Sequence, residues 1–380
     1  MAEQKTDVVR AHGGFRKAIQ GQKATLPNFY SLFPDWNPVL HPEYERARDE
    51  ILNPWIERSW VPNALTARKF QKAEFGVFAA VMCARASLEK LGTVSKAFTW
   101  YFIWDDLFDC GSLADDKGAA QAYREKSIQY FCAALCNKGA FPDLSDCSEE
   151  LYNALHCWDE VAAHMRTDCS REILELLLEK KLFYISSVDT TDTLFYANQV
   201  PSLMQYWKRR ECTAGVYSVI ATIPFIFDLH VDRNYIDSHH LMRLLWRHTS
   251  YLVHMINDMF SLRKEMTENQ IENMVPVLML NEGVDCNQAM KLSYQLVQEA
   301  TRGFLEVESG LEANPGYTNS ATSAIFTEGC KNIVMGLTHW RLVLNYISLF
   351  PGAEDMLFFD SFFARLDAPA ISSSIIKTLW

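Results

Sequence analysis

Asp105-Asp106-Leu107-Phe108-Asp109 places three carboxylates within five residues, directly after an aromatic run of Phe98, Trp100, Tyr101, Phe102 and Trp104. On a helix, Asp105 and Asp109 share one face a turn apart, whereas Asp106 points about 100° away. Like charges at this spacing repel, and the negative end of the helix dipole adds to the cost. A cation relieves it, and a hard divalent ion such as Mg²⁺ takes carboxylate and phosphate oxygens. The plainer alternative is a solvated helix end that runs into the acidic loop of Asp115 and Asp116.

A second constellation lies in Asn257-Asp258-Met259-Phe260-Ser261-Leu262-Arg263-Lys264-Glu265. Asn257, Ser261 and Glu265 recur every four residues, so an amide oxygen, a hydroxyl and a carboxylate line one helix face. The residues before them are largely apolar (Leu252, Val253, Met255, Ile256), which turns that face inward. Buried oxygens are costly without partners, and a metal would satisfy all three. The alternative is an amphipathic helix whose Glu265 pairs with a nearby Lys. A third segment, Lys208-Arg209-Arg210-Glu211-Cys212-Thr213-Ala214-Gly215, sets a basic cluster beside a helix break. Side chains and free backbone groups there could hold an anion, although a lone cluster of this kind reads as a solvated turn. Together the three segments ask for one ligand: a diphosphate bridged by metals and clamped by Arg and Lys.

Helices must carry these groups, and the periodicity supplies them. Apolar residues recur at three and four over Ala73–Leu91, Lys96–Asp109, Glu172–Ile185, Leu241–Met266, Ala289–Leu311 and Thr322–Leu349. Pro27, Pro34, Pro38 and Pro42 mark an irregular leading segment, and Cys110–Lys117 and Asn314–Asn319 read as polar connections. There is no internal repeat and no interdomain linker. The expectation is an all-α chain: residues 1–25 a flexible N-terminal segment, residues 26–380 a single helical domain.

The 380 residues are 49% hydrophobic and 22% charged, enough for a core and its cover, which excludes a disordered chain. The net charge of -11 has the wrong sign for a nucleic-acid surface, so no nucleic-acid partner is expected. Ten Cys are scattered without a CxxC or Cys/His zinc pattern, so they read as unpaired apolar residues in a reducing compartment. Met1–Gln22 lacks an apolar signal core, and no run approaches the ~20 apolar residues of a membrane span. The location implied is cytoplasmic. Aromatics reach 13%, which raises the question of whether all of them serve the core.

The two motifs, in this order on an all-α chain, resemble the class I terpene synthases, and among these the microbial, fungal-type sesquiterpene cyclases. DDLFD fits the aspartate-rich DDxxD motif, and NDMFSLRKE fits (N/D)Dxx(S/T)xx(K/R)(E/D), the NSE motif, at every position; Asn273-Met274-Val275 is similar as well. The resemblance covers roughly residues 70–350. It implies the class I terpenoid synthase fold, a single-domain helical bundle that encloses an apolar active-site cavity.

It further implies three Mg²⁺ ions on Asp105, Asn257, Ser261 and Glu265, with Asp106 and Asp109 in support. Arg210 falls where the family's pyrophosphate sensor lies, and Thr213 and Ala214 match its linker and effector positions, although the effector is often Gly. The usual Arg-Tyr pair after a Trp is altered: Trp340 is followed by Arg341, and the pair position reads Asn345-Tyr346. Arg341 sits one turn before Asn345 and shares its face, so Arg210, Lys264, Arg341 and Tyr346 are the expected diphosphate contacts. Phe78, Phe98, Phe102 and Trp340 are the expected aromatic pocket wall.

The chemistry so implied is ionisation of a prenyl diphosphate, cyclisation of the carbocation and release of diphosphate, by a monomer or homodimer. A single α domain favours farnesyl diphosphate as substrate. A chain-elongating prenyltransferase would carry a second aspartate-rich motif in place of NDMFSLRKE. A protonation-initiated cyclase would carry DxDD, but Ile103 stands where its first Asp belongs. A helical binding protein without catalysis is the remaining alternative, and the intact metal motifs argue against it.

Overall fold

The long periodic stretches fold as helices, all but one of them unbroken. The computed structural model describes residues 19–59, 64–109, 111–188, 201–267, 272–313, 320–349 and 375–378, with backbone alone at 64, 320, 345–349 and 375–378. The helices are α1 (Asn53–Ser59), α2 (Ala64–Lys72), α3 (Phe75–Met82), α4 (Leu88–Asp109), α5 (Lys117–Cys136), α6 (Glu149–His156) and α7 (Asp159–Asp168). They continue with α8 (Arg171–Ser187), α9 (Leu203–Thr213), α10 (Val216–Ile220), α11 (His240–Thr267), α12 (Met274–Glu282), α13 (Cys286–Ala313) and α14 (Ser320–Leu349). Short helical turns fill the connections.

Polar residues set where the helices begin. Asp116, Ser170, Ser202 and Asn273 each accept a backbone N–H of the first turn, and Ser202 and Gln205 close a reciprocal capping box. The stretch expected as one helix over Ala73–Leu91 is two, α3 and the start of α4. Ser87 accounts for the break: its Oγ accepts Lys90 N–H (3.3 Å), restarting the helix after the turn at Cys83–Ala86. The expected connection at Asn314–Asn319 lies outside the described residues.

Strand structure is confined, among the described residues, to two short segments. β1 (Lys23–Leu26) pairs antiparallel with β2 (Ile375–Thr378), Lys23 opposite Thr378 and Leu26 opposite Ile375. Ile19 is fully buried ahead of β1, so packed structure begins inside the segment expected to be flexible. No helix of the described residues is long and apolar enough to cross a membrane. Every described cysteine is free.

The helices that carry chemistry close a ring. α3 packs on α4 and on α14, α14 on α11, α11 on α9 and α10, and α9 and α10 on α8. The ring is completed where Tyr184 of α8 meets Tyr101 of α4, centroids 5.3 Å apart. Close approach needs a missing side chain at one point: a Cβ on Gly336 of α14 would lie 2.6 Å from the Phe78 ring. Most aromatics are core, and three of the indoles bridge it through their N–H groups. Trp100 Nε1 donates to Ala154 O (2.7 Å), Trp104 Nε1 to Ser127 Oγ (3.1 Å) and Trp55 Nε1 to Cys157 O (3.0 Å).

Among the buried groups that lack such a partner is a lysine. Lys181 of α8 is 2% exposed, and its Nζ has no hydrogen-bond partner. It sits in a box of four rings, with centroids of Trp100, Trp158, Tyr101 and Phe131 at 3.8, 4.0, 4.2 and 4.6 Å. Burial holds its amine well below the ordinary lysine value, so the unfolded chain binds the proton more tightly. Lys181 therefore costs stability at neutral pH, and the cost fades as pH rises toward the unfolded lysine value near 10.4. Replacing it by an apolar residue of similar shape, Lys181→Met, is expected to stabilise the fold by about 1 kcal/mol or more at pH 7. Thermal unfolding checks this: the Tm gain should shrink steadily between pH 7 and pH 10, and a loss of Tm at pH 7 would overturn it.

Candidate active site

Within the ring is a cavity of about 130 Å³. Its wall includes Phe78, Phe98, Phe102, Asp105, Arg210, Thr213, Ala214 and Asn257, eight residues singled out from the sequence. The two motifs thus meet across one space, Asp105 from α4 and Asn257 from α11. Ser261 is buried and Glu265 half-buried, continuing the Asn257 face one and two turns along α11. Val216, Val219, Val253, Ile333 and Leu337 give the rest of the wall its apolar surface, and Tyr101, Tyr184, Gly215 and His254 complete it.

The acidic motif divides as its helical geometry predicts. Asp105 accepts a hydrogen bond from Tyr184 OH (3.0 Å). Burial pushes its carboxyl up to about 6, although the Tyr184 hydroxyl and the charges of Arg210 and Lys264 pull it down. Asp106 faces away from the cavity and pairs with Lys69 of α2 (2.7 Å). Asp109 is exposed and outside the wall, near enough to raise the Tyr184 hydroxyl's pKa.

On α11, Asn257 Oδ1 accepts Arg341 Nε at 2.9 Å and a second bond from Arg341 Nη2. Ser261 Oγ donates to the Asn257 carbonyl (2.8 Å), and Glu265 accepts from Asn273 Nδ2 (2.8 Å). Burial, aided by Asp258, pushes the Glu265 carboxyl up to about 7 against the pull of Arg210, Ser261 and Asn273. Arg341 is thus at the site, with burial lowering its guanidinium to about 10. Tyr346 continues α14, but its side chain lies outside the described residues. Lys264 is exposed, its charge felt at Asp105.

Trp340 is not part of the wall. Its Nε1–H is committed to Ala73 O (2.7 Å), and its ring packs behind Phe102 and Phe78 at 5.1 and 6.4 Å. That bond to α2's C-terminal turn holds the indole one layer back. Phe98 and Phe78, edge to face at 3.9 Å, and Phe102 form the aromatic lining in front of it.

The donor set fits a divalent cation. Asp105 and Glu265 are half-buried carboxyls whose loss of solvent outweighs the positive charge beside them, as their raised values record. Asn257 already presents its oxygen to a cation, the Arg341 guanidinium. Among the described residues no three His, Cys, Asp or Glu side chains cluster as a metal site. A metal here would draw on the neutral oxygens of Asn257 and Ser261 and on ligand oxygens.

Residues 96–302, more than half of the chain, match terpene synthase family 2, C-terminal metal binding. The chain belongs to the terpene synthase family. Its curated relatives include the sesquiterpene cyclase hepA of Aspergillus oryzae, 23% identical over 88% of this chain and 92% of that protein. Terpene cyclase braA of Annulohypoxylon truncatum is also 23% identical, over 85% and 86%. The fold is similar to that of linalool/nerolidol synthase from Streptomyces clavuligerus, solved in complex with 2-fluorogeranyl diphosphate. That match has a TM-score of 0.66 at 18% identity and covers 80% of this chain and 96% of that one. Germacradien-4-ol synthase from Streptomyces citricolor matches with TM-score 0.62 at 16% identity, over 80% and 95%. The protein is therefore a terpene synthase of the class I helical fold, with a divalent metal implied by its family.

The terpene synthase site also uses residues that the sequence reading passed over. Asp258, the second residue of NDMFSLRKE, is fully buried and faces the protein. Its carboxylate accepts Arg210 Nη2 (2.8 Å), Tyr206 OH (2.5 Å) and Met274 N–H (2.8 Å). Burial alone would lower the Arg210 pKa, but Asp258 outweighs it and the net shift is upward. Gly215, rather than Ala214, takes the left-handed turn between α9 and α10 (φ 68°), and a Cβ there would crowd the Tyr184 ring at 3.3 Å. Tyr184 carried no local signal, whereas Asp258 and Gly215 lay inside segments already noted for their neighbours. Asp258→Asn should leave the buried Arg210 short of its counter-charge and cost about 3–5 kcal/mol. Urea unfolding measures the loss, and a stability equal to wild type would overturn the assignment of Asp258 as the site's anchor.

Proposed function

We propose that this terpene cyclase is a sesquiterpene cyclase that ionises farnesyl diphosphate with Mg²⁺ and closes the resulting carbocation into a cyclic hydrocarbon or alcohol. The observation that carries the reading is the cavity's two-sided wall. Asp105, Asn257 and Arg210 gather on one part of it, and phenyl rings and aliphatic side chains dominate the rest. The sesquiterpene cyclase named among its relatives, and the prenyl diphosphate analogue in its structural neighbour, support the same substrate class.

Asp105, Asn257, Ser261 and Glu265 are the residues that would hold the metal, three ions by resemblance, with Asp106 and Asp109 in support. Bound Mg²⁺ supplies positive charge to the diphosphate oxygens as the allylic C–O bond breaks. Arg210, Lys264, Arg341 and Tyr346 share that task, and Arg210 is aimed in advance by Asp258. Departure of diphosphate leaves an allylic cation that water would capture, so the apolar wall keeps the site dry. Phe78, Phe98 and Phe102 offer ring faces or edges around it, a face being worth about 2 kcal/mol to a desolvated cation. Thr213 and Ala214 close the wall at the α9–α10 break.

Incubation of the purified protein with geranyl, farnesyl and geranylgeranyl diphosphate and Mg²⁺, read by gas chromatography–mass spectrometry, tests the reading. A cyclic C15 product from farnesyl diphosphate, abolished by EDTA, is expected; no terpene product from any of the three sinks the proposal. Asp105→Asn and Asn257→Ala should each lower turnover about 100-fold or more. Their circular dichroism spectra should match wild type, and undiminished turnover would place the metal elsewhere.

A further inference from the structure

Most polar side chains of the cavity wall are committed to partners, and His254 is the wall's one imidazole. Asp105 accepts from Tyr184, Asn257 accepts from Arg341, Arg210 donates to Asp258 and Thr213 Oγ1 donates to Arg209 O. Tyr101 faces Ser218. His254 lines the same cavity at 1% exposure; the Ser250 backbone lies close enough to favour its protonated form, but neither ring nitrogen meets a partner at full hydrogen-bond geometry. A buried imidazole nitrogen without such a partner forfeits its hydration. Because the ring lines the cavity, an occupant of that cavity is within its reach.

The placement is also specific. His254 lies three residues before Asn257 on α11, on the same face and about 4.5 Å along the axis. The imidazole is therefore about one helical turn from the metal-binding end, opposite the hydrocarbon part of a prenyl diphosphate held there. Its ring is braced by Tyr206 and Tyr251, each roughly perpendicular to it, with centroids at 6.0 and 5.7 Å. We infer that His254 is a catalytic residue, the base that ends the reaction by taking a proton from a carbon next to the final cationic centre. This rests on the reading of the protein as a prenyl diphosphate cyclase and adds to it how the cascade terminates.

In the step, the C–H bond breaks and its electron pair becomes the new C=C π bond. The proton goes to the free lone pair of the imidazole, so a carbocation and a neutral ring become an alkene and an imidazolium. Burial, reinforced by Arg210, holds the ring well below the ordinary histidine value, so it is neutral and able to accept at pH 7. The same two effects make the imidazolium a poor resting state. It passes the proton to an oxygen of the released diphosphate, which leaves with it and resets the base. Main product should accordingly be an alkene and not an alcohol.

His254→Phe keeps a ring of similar shape and removes the base; His254→Asn is the second variant if the first fails to fold. Diphosphate release and product composition are measured together with farnesyl diphosphate and Mg²⁺. For the variants, release should fall by less than about tenfold, while the share of the wild-type alkene falls by more than about tenfold in favour of alcohols and less-cyclised alkenes. An unchanged product pattern at measurable release overturns the base and leaves the cyclase reading intact, as does a wild type that makes only alcohol. A wild type that releases no diphosphate overturns both. Independently of turnover, the His254 ring resonances of ¹⁵N-histidine-labelled protein should shift when a trialkylammonium mimic of the cation binds with inorganic diphosphate and Mg²⁺; unmoved resonances count against the contact.

Discussion

The structure turns on a carboxylate that cannot reach the ligand. Asp258 is fully buried, and its two oxygens take a guanidinium from α9, a phenol from the same helix and a backbone N–H at the start of α12. Two elements, α9 and α12, are fixed to α11 by one side chain. Because α11 bears Asn257, Ser261 and Glu265, the same bonds set the position of the NSE face relative to Arg210. Asn273 adds to this: its Nδ2 bonds both the Asp258 carbonyl (2.7 Å) and Glu265, while its Oδ1 caps α12. A buried charge with this many donors gains more from position than from net stability, since desolvation cancels much of the attraction. What it secures is a cationic side chain aimed at a cavity before any ligand arrives.

Around that anchor the basic cluster acquires a meaning its sequence left open. Arg209 pairs with Glu272 and Arg210 with Asp258, both largely out of solvent, so neither arginine belongs to a solvated turn. Their helix stops at Thr213, and Gly215 turns the chain into α10 against the Tyr184 ring. Tyr184 in turn holds Asp105, so the helix break and the aspartate motif are coupled through one phenol. The polar end of the cavity is a chain of such contacts, and its apolar end is rings in layers: Phe78, Phe98 and Phe102 at the wall, Trp340 behind. The aromatic content therefore serves two ends. Tryptophans lock the core by their indole donors, and three phenylalanines face the space where a cation would form.

Much of this was legible in the sequence because it depends on spacing along a helix. The four-residue interval predicts that Asn257, Ser261 and Glu265 share a face, and the 100° offset predicts that Asp106 parts from Asp105; Lys69 is what receives it. Phe98 and Phe102 reach the wall for the same reason. The features that escaped depend on which neighbours a fold brings close. Trp340 has the right spacing for the cavity, but its indole N–H finds a carbonyl acceptor in Ala73, remote in the chain. Ser87 interrupts a run whose apolar period continues through it, because a local cap overrides periodicity. The β1–β2 pair joins residues some 350 apart, beyond any local pattern. His254 was hidden by its neighbours, since a single polar residue in an apolar run reads as an interruption of the stripe.

The altered Arg-Tyr pair shows how a motif can fail while its physics persists. The position expected to hold arginine reads Asn345, yet a guanidinium still reaches the site, from Arg341 one turn earlier on the same face of α14. It arrives by binding Asn257, an oxygen that a metal would claim. On the proposed reading a cation would stand at that donor in either state: the arginine in the structure described, a divalent ion if one were held there. Electrostatics requires this, because the burial that raises Asp105 and Glu265 makes an uncompensated oxygen cluster costly. Burial also lowers the Arg341 pKa to about 10, so the guanidinium gains from any anion that enters beside it. On the same reading, Asn257 would pass from arginine to metal and the arginine would turn to phosphate oxygens, so that the pairing is conserved on both sides. The helix face, not the motif's letter, is what the chemistry holds to.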